Sequence, residues 1–284
     1  MTTLPIPDLP RALLLELEET AVELARLAGT EIVNALGRAL TIRYKTLGEG
    51  EASALYRDPV SEVDQRAETL IRERIAERFG PHHGILGEEL EDSPAGQDGI
   101  LWAVDPIDGT TNFVNGFPLF AASIGVLSRG LPVAGAVWCS TTHALRPGVY
   151  HAHAGGALNF EGEALLARPN PAVRRRLAGM PYAPMSASQA WDSRKTGSAA
   201  IECAFVAAGL LQVAGFVRPN IWDVAAGLVL VSAAGGAIHV RQGDGWAPFG
   251  GFGETPARSW RESLVIGDEE ASDAYFRVFP DAKA

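Results

Sequence analysis

Two aspartates, Asp105 and Asp108, stand three positions apart directly after the apolar run 100–104, which has the composition of a buried β-strand. Pro106 lies between them and cannot extend a sheet ladder, so we expect the strand to stop there in a tight turn. Hard divalent cations favour carboxylate oxygens, and two carboxylates at this spacing can bind neighbouring cations. The turn is therefore a candidate metal site.

The residues after Asp108 have features that favour anion binding. Gly109 allows the backbone to approach a ligand closely, and the amides after it can bind an anion such as phosphate. A simpler interpretation stays open, in which Asp105 or Asp108 caps a short helix that opens at residues 110–112. The segment alone does not decide between a capped turn and a site for metal and phosphate.

Asp64 closes the segment DPVSEVD, residues 58–64, at the start of a helical pattern of apolar residues. Ser61 and Asp64 have the spacing of a capping pattern, which predicts a helix from about residue 62 to residue 80. An acidic side chain in the first helical turn interacts favourably with the helix dipole. That ordinary role and a role in a metal site are both compatible with the pattern.

Further acids stand at the ends of other predicted elements. Glu88 and Glu89 follow a short predicted strand, and two strands that end in acid side by side can build a metal-binding cleft. Taken alone, the two glutamates resemble a solvated pair. Asp223 follows Trp222 at the start of another helical pattern, where capping the helix is its simpler role.

Apolar periodicity predicts the elements that must position these acids. The predicted helices span residues 9–39, 62–80, 170–178, 197–210, 223–234 and 269–278. The predicted strands span residues 41–46, 82–87, 100–104, 119–127, 133–139, 211–216, 238–240 and 263–266, and the fourth and fifth are expected to pair antiparallel. We place a soft boundary near Gly148, between an N-terminal part at 1–148 and a C-terminal part at 149–284.

Composition limits the class of protein. The chain has 284 residues, 47% of them hydrophobic and 20% charged, which is typical of a folded globular protein. Its formal charge of −10 argues against nucleic acid as a partner, because polyphosphate backbones are bound by clustered basic residues. The apolar stretch 198–217 is interrupted by Glu202 and Gln212, which argues against a membrane span.

Two cysteines are too few for a disulfide framework and fit a reducing compartment. Because no secretory signal is evident at the N-terminus, we expect a cytoplasmic protein. His151 and His153 would share one face of a strand, but no further Cys or His stands at zinc-ligand spacing, so core roles are favoured over zinc. Lys45 precedes a Gly- and Glu-rich predicted loop at 47–57. A solvated charge at the edge of a strand is a simpler interpretation of this residue than a role in the site.

Five segments, taken together, resemble the inositol monophosphatase family, within the superfamily of lithium-sensitive, magnesium-dependent sugar phosphatases that includes fructose-1,6-bisphosphatase. They occur in the family's order over nearly the whole chain: DPVSEVD at 58–64, GEE at 87–89, WAVDPIDGTTNFVNGFP at 102–118, GSAA at 197–200 and WDVAAG at 222–227. The resemblance implies a layered αβαβα sandwich that combines α/β and α+β features, and a homodimer. The 1–148 part would carry most metal ligands.

The resemblance also implies a site with two or three Mg²⁺ ions. Glu88, Asp105 and the carbonyl of Ile107 would hold one ion, while Asp105, Asp108 and Asp223 would hold a second. A third, weaker ion would lie near Glu88. These oxygen donors agree with the preference of Mg²⁺.

The implied reaction is in-line hydrolysis of a phosphate monoester by a metal-activated water. Glu88 would orient or deprotonate that water, helped by the hydroxyl of Thr110 held by Asp64. The amides of Gly109 and Thr110 would bind the phosphate. The substrate, a small phosphorylated metabolite, would contact residues from both parts of the chain: Asp108, Gly109, Thr110, Gly197, Ser198, Ala199, Arg218 and Asp223.

One position departs from the pattern of family members that act on inositol phosphates. They usually place an acid seven residues before the aspartate of the WD motif, where this chain has Phe216. An apolar ring cannot accept hydrogen bonds from a polyol, which argues against inositol 1-phosphate. Arg218 and Asn220 could instead contact a second anionic or polar group, as in a bisphosphate, histidinol phosphate or a 3′-phosphonucleotide, or Arg218 is a solvated loop charge. A catalytically silent metal-binding regulatory protein is the alternative from another class.

Overall fold

The computed structural model describes residues 4–44, 59–96, 98–167, 170–180, 191–253 and 256–279. The helices in these ranges are α1 (Arg11–Ala35), α2 (Glu62–Phe79), α3 (Thr110–Val114), α4 (Ala199–Ala207), α5 (Ile221–Ala233) and α6 (Glu269–Val278). None of the helices in the described part of the chain is long and apolar enough to cross a lipid bilayer.

The strands form three sheets. The short strands β1 (Ile42–Tyr44) and β2 (Pro59–Ser61) pair with each other. A seven-stranded sheet contains, in spatial order, β3 (Gly84–Gly87), β4 (Ile100–Asp108), β5 (Ala121–Ser128), β6 (Leu131–Cys139), β7 (Gly148–His153), β8 (Asn159–Phe160) and β9 (Glu163–Ala164). A six-stranded sheet has the spatial order β11 (Trp191–Arg194), β10 (Arg176–Gly179), β12 (Val213–Phe216), β15 (Leu264–Gly267), β13 (Ala237–Gln242) and β14 (Gly245–Pro248).

Helices and sheets stack in five layers. Helices α1 and α2 pack on one face of the seven-stranded sheet, and α5 packs on its other face together with α4. Helices α4 and α5 also contact the six-stranded sheet, whose strands β12 and β15 contact α6. The stack is the αβαβα sandwich that the sequence predicted, since each apolar face is covered by the next layer.

Close contact between α5 and the first sheet requires a small residue in the sheet. A Cβ atom built on Gly125 in β5 would lie 2.7 Å from the Cβ atom of Ala225 and 2.8 Å from the amide nitrogen of Ala226. A side chain at this position would therefore push the helix away. Because Asp223 lies in the first turn of α5, this packing fixes the depth of that carboxylate.

Two of the sequence predictions were wrong in detail. Residues 170–178 do not form a helix: β10 begins at Arg176 and pairs in parallel with β11 and β12, so sheet pairing prevails over local preference. Strand β4 does not stop before Pro106 but continues to Asp108, with a register shift against β5 between Asp105 and Asp108. The shift accommodates the proline, which has no amide hydrogen to donate.

Other predicted elements agree with the structure. The long N-terminal helix, the helix after Ser61 and the last helix are present as α1, α2 and α6. The expected antiparallel pair is β5 and β6. Division of the chain at residue 148 stays a prediction; β7 begins there and pairs with β6, so the first sheet continues past that point to β9. Lys45, residues 47–57 and Asp58 lie outside the described residues.

Candidate active site

Strand β4 carries Asp105 and Asp108 into the interior. Their exposed fractions are only 2% and 9%. Asp105 Oδ1 accepts a hydrogen bond of 3.1 Å from the amide of Ile107, within the irregular part of the strand. Gly109 follows with a φ of +88°, in the left-handed region that glycine adopts without strain. The chain then turns into α3, so both aspartates lie at the end of the strand beside a glycine turn.

The first turn of α2 brings Asp64 to this turn. Asp64 Oδ2 accepts hydrogen bonds from the amide and the hydroxyl of Ser61 at 2.8 and 2.6 Å, as part of a capping box. Thr110 Oγ1 lies 3.1 Å from Asp64 Oδ1 and 2.8 Å from the carbonyl oxygen of Ile107. A hydroxyl has one hydrogen and can donate to only one of these acceptors at a time.

Asp108 is bound by the start of α4. The hydroxyl of Ser198 donates to Asp108 Oδ2 at 2.7 Å, and the amide of Ala200 donates to the same oxygen. The segment before α4 is tied down by Asn112, whose side-chain amide donates to the carbonyl oxygens of Leu119 and Thr196 at 2.6 and 2.8 Å. Ser198 and Ala200, both in the GSAA segment, thus bind a carboxylate of the protein itself.

Glu88 follows the last residue of β3. Its amide donates to the carbonyl oxygen of Val104 at 3.1 Å, which places it beside the end of β4. The next two amides, of Glu89 and Leu90, donate to the carboxylate of the fully buried Glu68 at 2.8 and 3.3 Å. The loop that carries Glu88 is therefore held by α2, the helix that also carries Asp64.

Asp223 is the third residue of α5 and not its cap. Asn220 is the N-cap, and its backbone and side-chain amides donate to Asp223 Oδ2 at 2.7 and 3.1 Å. The carbonyl oxygen of Trp222 accepts a 3.0 Å hydrogen bond from Ser123, which pairs with Asp105 in the first sheet. The start of α5 is thereby fixed next to the end of β4.

Charge repulsion shows that these carboxylates face one region. Burial raises the pKa of Asp105 well above its ordinary value, and the charges of Glu88, Asp108 and Asp223 raise it further. Burial, followed by repulsion from Asp108 and Glu88, raises the pKa of Asp223 to about 8. Burial also raises the pKa of Asp108 to about 6, against the hydrogen bonds from Ser198 and the α4 amides.

Asp64 shares this environment. Burial raises its pKa to about 6, although Ser61 and Thr110 donate hydrogen bonds to it, and the charge of Glu88 adds to the shift. Within the described ranges, however, no three His, Cys, Asp or Glu side chains are arranged so that they could hold a metal ion as they stand. Carboxylate oxygens are turned instead toward internal donors, as Asp223 is toward Asn220. Binding of a cation thus requires side-chain rotation.

The remaining candidates have other surroundings or contacts. Phe216, at the end of β12, is buried in the core between the two large sheets. Arg218 is exposed in the turn before α5, with a φ of +51°, and its amide donates to the hydroxyl of Ser263 at 3.4 Å. His151 and His153 both hydrogen-bond through Nδ1 to the buried Glu18 of α1. This accounts for the histidine pair without zinc.

Sequence reasoning missed several residues that position the acids. Glu68 stands in no motif, and Ser198 and Ala200, although they stand in the GSAA segment, bind a carboxylate that is distant in sequence. Ser61 was recognised as a capping residue because its partner is three positions away. Contacts over long separations have no comparable signal in a single sequence.

Comparisons with known proteins identify the family to which the chain is similar. The model of the inositol monophosphatase family matches residues 13–269. The chain is 33% identical over 253 residues to "Phosphatase IMPL1, chloroplastic" of Arabidopsis thaliana, covering 80% of this chain and 63% of that protein. It is 34% identical over 244 residues to an inositol-1-monophosphatase of Bacillus subtilis, covering 81% and 87%.

A solved structure has the same fold. The crystal structure of the extragenic suppressor protein suhB from Bartonella henselae superposes with a TM-score of 0.74 at 26% identity. The match covers 94% of this chain and all of that one.

Proposed function

The chain belongs to the inositol monophosphatase family and is a phosphoric monoester hydrolase, and we propose that its clustered carboxylates perform Mg²⁺-dependent hydrolysis of a small phosphorylated metabolite. One observation carries the proposal. Glu88, Asp105, Asp108 and Asp223 come from distant segments, yet their charges raise the pKa values of the three aspartates. Buried carboxylates that repel each other are stabilised by a bound cation.

The donor set fits Mg²⁺. Glu88, Asp105 and the Ile107 carbonyl would hold one ion, and Asp105, Asp108 and Asp223 a second; a third would lie near Glu88. All of these donors are oxygens, which hard cations prefer. Bound there, Mg²⁺ supplies positive charge to the phosphate oxygens and lowers the pKa of the attacking water.

The protein's own groups orient the reactants. The Thr110 hydroxyl, 3.1 Å from Asp64 Oδ1, is placed to accept a hydrogen bond from the attacking water while donating its own hydrogen to Asp64. Glu88 would hold the same water or take its proton. The amides of Gly109 and Thr110 would bind the phosphate at the glycine turn.

For the organic part of the substrate, we propose a second anionic or polar group. Because Phe216 is part of the core, position 216 offers no acceptor for the hydroxyl groups of a polyol. Exposed Arg218 is the nearest basic residue in sequence before Asp223 and could bind an anion. Gly197, Ser198 and Ala199 would contact the substrate from the start of α4. A bisphosphate or a 3′-phosphonucleotide satisfies these features better than inositol 1-phosphate.

A phosphate-release assay tests the proposal. The purified protein would be given inositol 1-phosphate, fructose 1,6-bisphosphate, histidinol phosphate and a 3′-phosphonucleotide, each with Mg²⁺, with EDTA, and with Mg²⁺ plus Li⁺. We expect release that EDTA abolishes, with the highest kcat/KM on a doubly anionic substrate. If no substrate in the panel shows EDTA-sensitive release, the catalytically silent metal-binding alternative is favoured.

The same proposal includes two features of the assembly and its location. We propose a homodimer, in keeping with the family, and a cytoplasmic location, in keeping with two buried free cysteines. Sedimentation at several protein concentrations would test the first, and fractionation of cells that express the full-length protein would test the second.

A further inference from the structure

Arg258 connects the second half of the chain to the loop that carries Glu88. It lies in a single 3-10 turn, Ala257–Ser259, between β14 and β15. Its guanidinium forms two parallel bonds of 2.8 Å with the carboxylate of Asp92. The same group donates to the carbonyl oxygen of Gly87, the residue before Glu88, and to that of Leu90 at 3.4 Å. One side chain thus binds the loop on both sides of Glu88.

The guanidinium also lies against the segment that carries Asp223. Its central carbon is 5.0 Å from the centroid of the Trp222 ring, within the range of a cation–π contact. Trp222 is buried and directly precedes Asp223. Its carbonyl oxygen is fixed by Ser123, so Arg258 contacts a segment that is itself anchored to the first sheet.

Glu68 holds the same loop from the opposite direction. Its carboxylate accepts the amides of Glu89 and Leu90 and forms a 2.8 Å ion pair with Arg72 one turn later in α2. The loop is therefore bound by α2, through Glu68 at its amides and Arg72 at the carbonyl oxygen of Leu90, and by Arg258 at two carbonyl oxygens. Of these two attachments, only Arg258 also contacts the Trp222 segment.

We propose that Arg258 is a positioning residue that holds the Glu88 loop and the Asp223 helix in the mutual arrangement required to bind metal ions at the carboxylate cluster. The inference rests on the proposed metal-dependent function. The planar fork of arginine suits this role, because it binds a carboxylate with two bonds while stacking on an aromatic face. Residues that orient metal ligands typically change metal affinity or activity by about 10–100-fold when they are replaced.

The arrangement predicts an effect on metal binding rather than on folding. The side chains of Arg258 and Asp92 are 44% and 34% exposed. Ion pairs with this exposure contribute little to stability. Replacement of Arg258 should therefore weaken metal binding while leaving thermal unfolding in EDTA nearly unchanged.

Measurement of Mn²⁺ binding by electron paramagnetic resonance, in the absence of substrate, tests the positioning role of Arg258. We expect Arg258→Met to raise the Mn²⁺ dissociation constant at least tenfold and Arg258→Lys to raise it less, since lysine keeps the charge but lacks the fork. The matched control is Arg175→Met, which removes the arginine of another exposed 2.8 Å pair, with Asp192 of β11. Unchanged Mn²⁺ affinity in Arg258→Met would overturn the proposal.

Steady-state kinetics at varied Mg²⁺ concentration distinguish a positioning role of Arg258 from a general disruption of the active site. With a substrate that the wild type hydrolyses, raising the Mg²⁺ concentration should restore most of the kcat of Arg258→Met without changing KM for the substrate. A lowered kcat that no Mg²⁺ concentration restores would count against positioning. If Arg258→Met does not fold, Asp92→Asn retains the arginine and removes its partner, and weaker Mn²⁺ binding is still expected.

The two proposals can fail separately. Wild type that releases no phosphate from any substrate, but binds Mn²⁺ more tightly than Arg258→Met, would contradict the hydrolase and support the role of Arg258. Wild type that hydrolyses substrate, with Arg258→Met unchanged in Mn²⁺ affinity, would support the hydrolase and contradict that role.

Discussion

Asp105 is the residue on which the proposed site depends most, because it would serve both principal metal ions. It is 2% exposed, and the charges of Glu88, Asp108 and Asp223 all act on it. Its Oδ1 oxygen already accepts the Ile107 amide, a bond that the carbonyl oxygen of an asparagine could also accept. Charge and hydrogen bonding can therefore be separated at this position.

We predict that Asp105→Asn lowers kcat at least about a hundredfold, because removing one carboxylate from a metal site weakens the stabilisation of transition-state charge. The fold and the stability of the metal-free protein should be retained, since asparagine keeps the size of the side chain and can still accept the hydrogen bond from the Ile107 amide. Steady-state kinetics and thermal unfolding in EDTA measure both effects. Asp244→Asn, in an exposed turn, is the control. Near-normal activity with unchanged Mg²⁺ dependence would refute the metal assignment.

Thr110 and Asp64 should act as one unit. We predict that Thr110→Val and Asp64→Asn each lower kcat by about 10² or more with little change in KM, as expected for groups that assist proton transfer. Because each single variant already disrupts the 3.1 Å contact between the two side chains, the double variant should be scarcely slower than either single variant. Thr110→Ser, which keeps the hydroxyl, should retain most activity. Fully additive losses in a double-mutant cycle would show that the two residues act independently.

At this scale the sequence identified the acids of the candidate site better than the residues that hold them in position. Asp64, Glu88, Asp105, Asp108 and Asp223 stand in short motifs, and their acid chemistry is visible without a structure. Arg258 and Glu68 have no such pattern, because an arginine beside an aspartate distant in sequence looks like any surface arginine. Ser198 illustrates a third case: its position at a helix start was predicted, but its bond to Asp108 depends on tertiary packing.

Among the elements, α5 determines whether Asp223 reaches the other carboxylates. The helix packs directly on β5, where Gly125 leaves room for Ala225 and Ala226. The sequence predicted the helix but not the side of it that meets the first sheet. Helix α5 is apolar nearly all round, as expected of a helix buried between two sheets.

We predict that Gly125→Ala destabilises the protein by about 1–3 kcal/mol, because the added methyl group would lie 2.7 Å from the Ala225 Cβ atom and force the helix outward. The displacement should also raise the Mg²⁺ concentration needed for half-maximal activity. Urea unfolding and a Mg²⁺ titration would measure these two effects. Gly250→Ala is the matched control, since a Cβ atom there meets nothing within 4 Å. A variant as stable as the control would show that α5 does not depend on this contact.

Errors in the predicted elements have a common physical origin. Residues 170–178 contain several basic residues and local features of a helix, but β10 is placed between β11 and β12 by backbone pairing that no local pattern reveals. Pro106 was expected to end β4, yet an irregular register allowed the strand to continue to Asp108. In both cases a distant partner strand decided the outcome.

For the molecule as a whole, the five layers place the carboxylates where the first large sheet meets the helix layer between the two sheets. Asp105 and Asp108 come from the first sheet, and Asp223 from the helix layer between the sheets. The sequence predicted this stack through the family resemblance rather than through periodicity alone, which identified helices and strands but not their order in space. Packing of that kind concentrates negative charge in a buried region.

This concentration of charge should make the metal-free protein less stable as pH rises. The folded-state pKa values of Asp64 and Asp108 are about 6 and that of Asp223 is about 8, all above the ordinary value of 3.8. The folded state therefore favours the protonated carboxyls, and their stabilising contribution is full below about pH 4 and is lost as pH rises to about 8. Bound Mg²⁺ should offset the resulting repulsion.

We predict that the increase in Tm caused by Mg²⁺ is small at pH 5 and grows steadily to pH 8.5, because the ions bind the ionised carboxylates. The difference between scans with Mg²⁺ and with EDTA at each pH isolates this effect from buried histidines such as His239, whose lowered pKa acts in the opposite direction. Asp223→Asn should reduce the growth of the Mg²⁺ effect, since it removes the carboxyl that titrates near pH 8. An Mg²⁺ effect of equal size at both pH values would mean that the cations do not neutralise these carboxylates, and the proposed site would then be wrong.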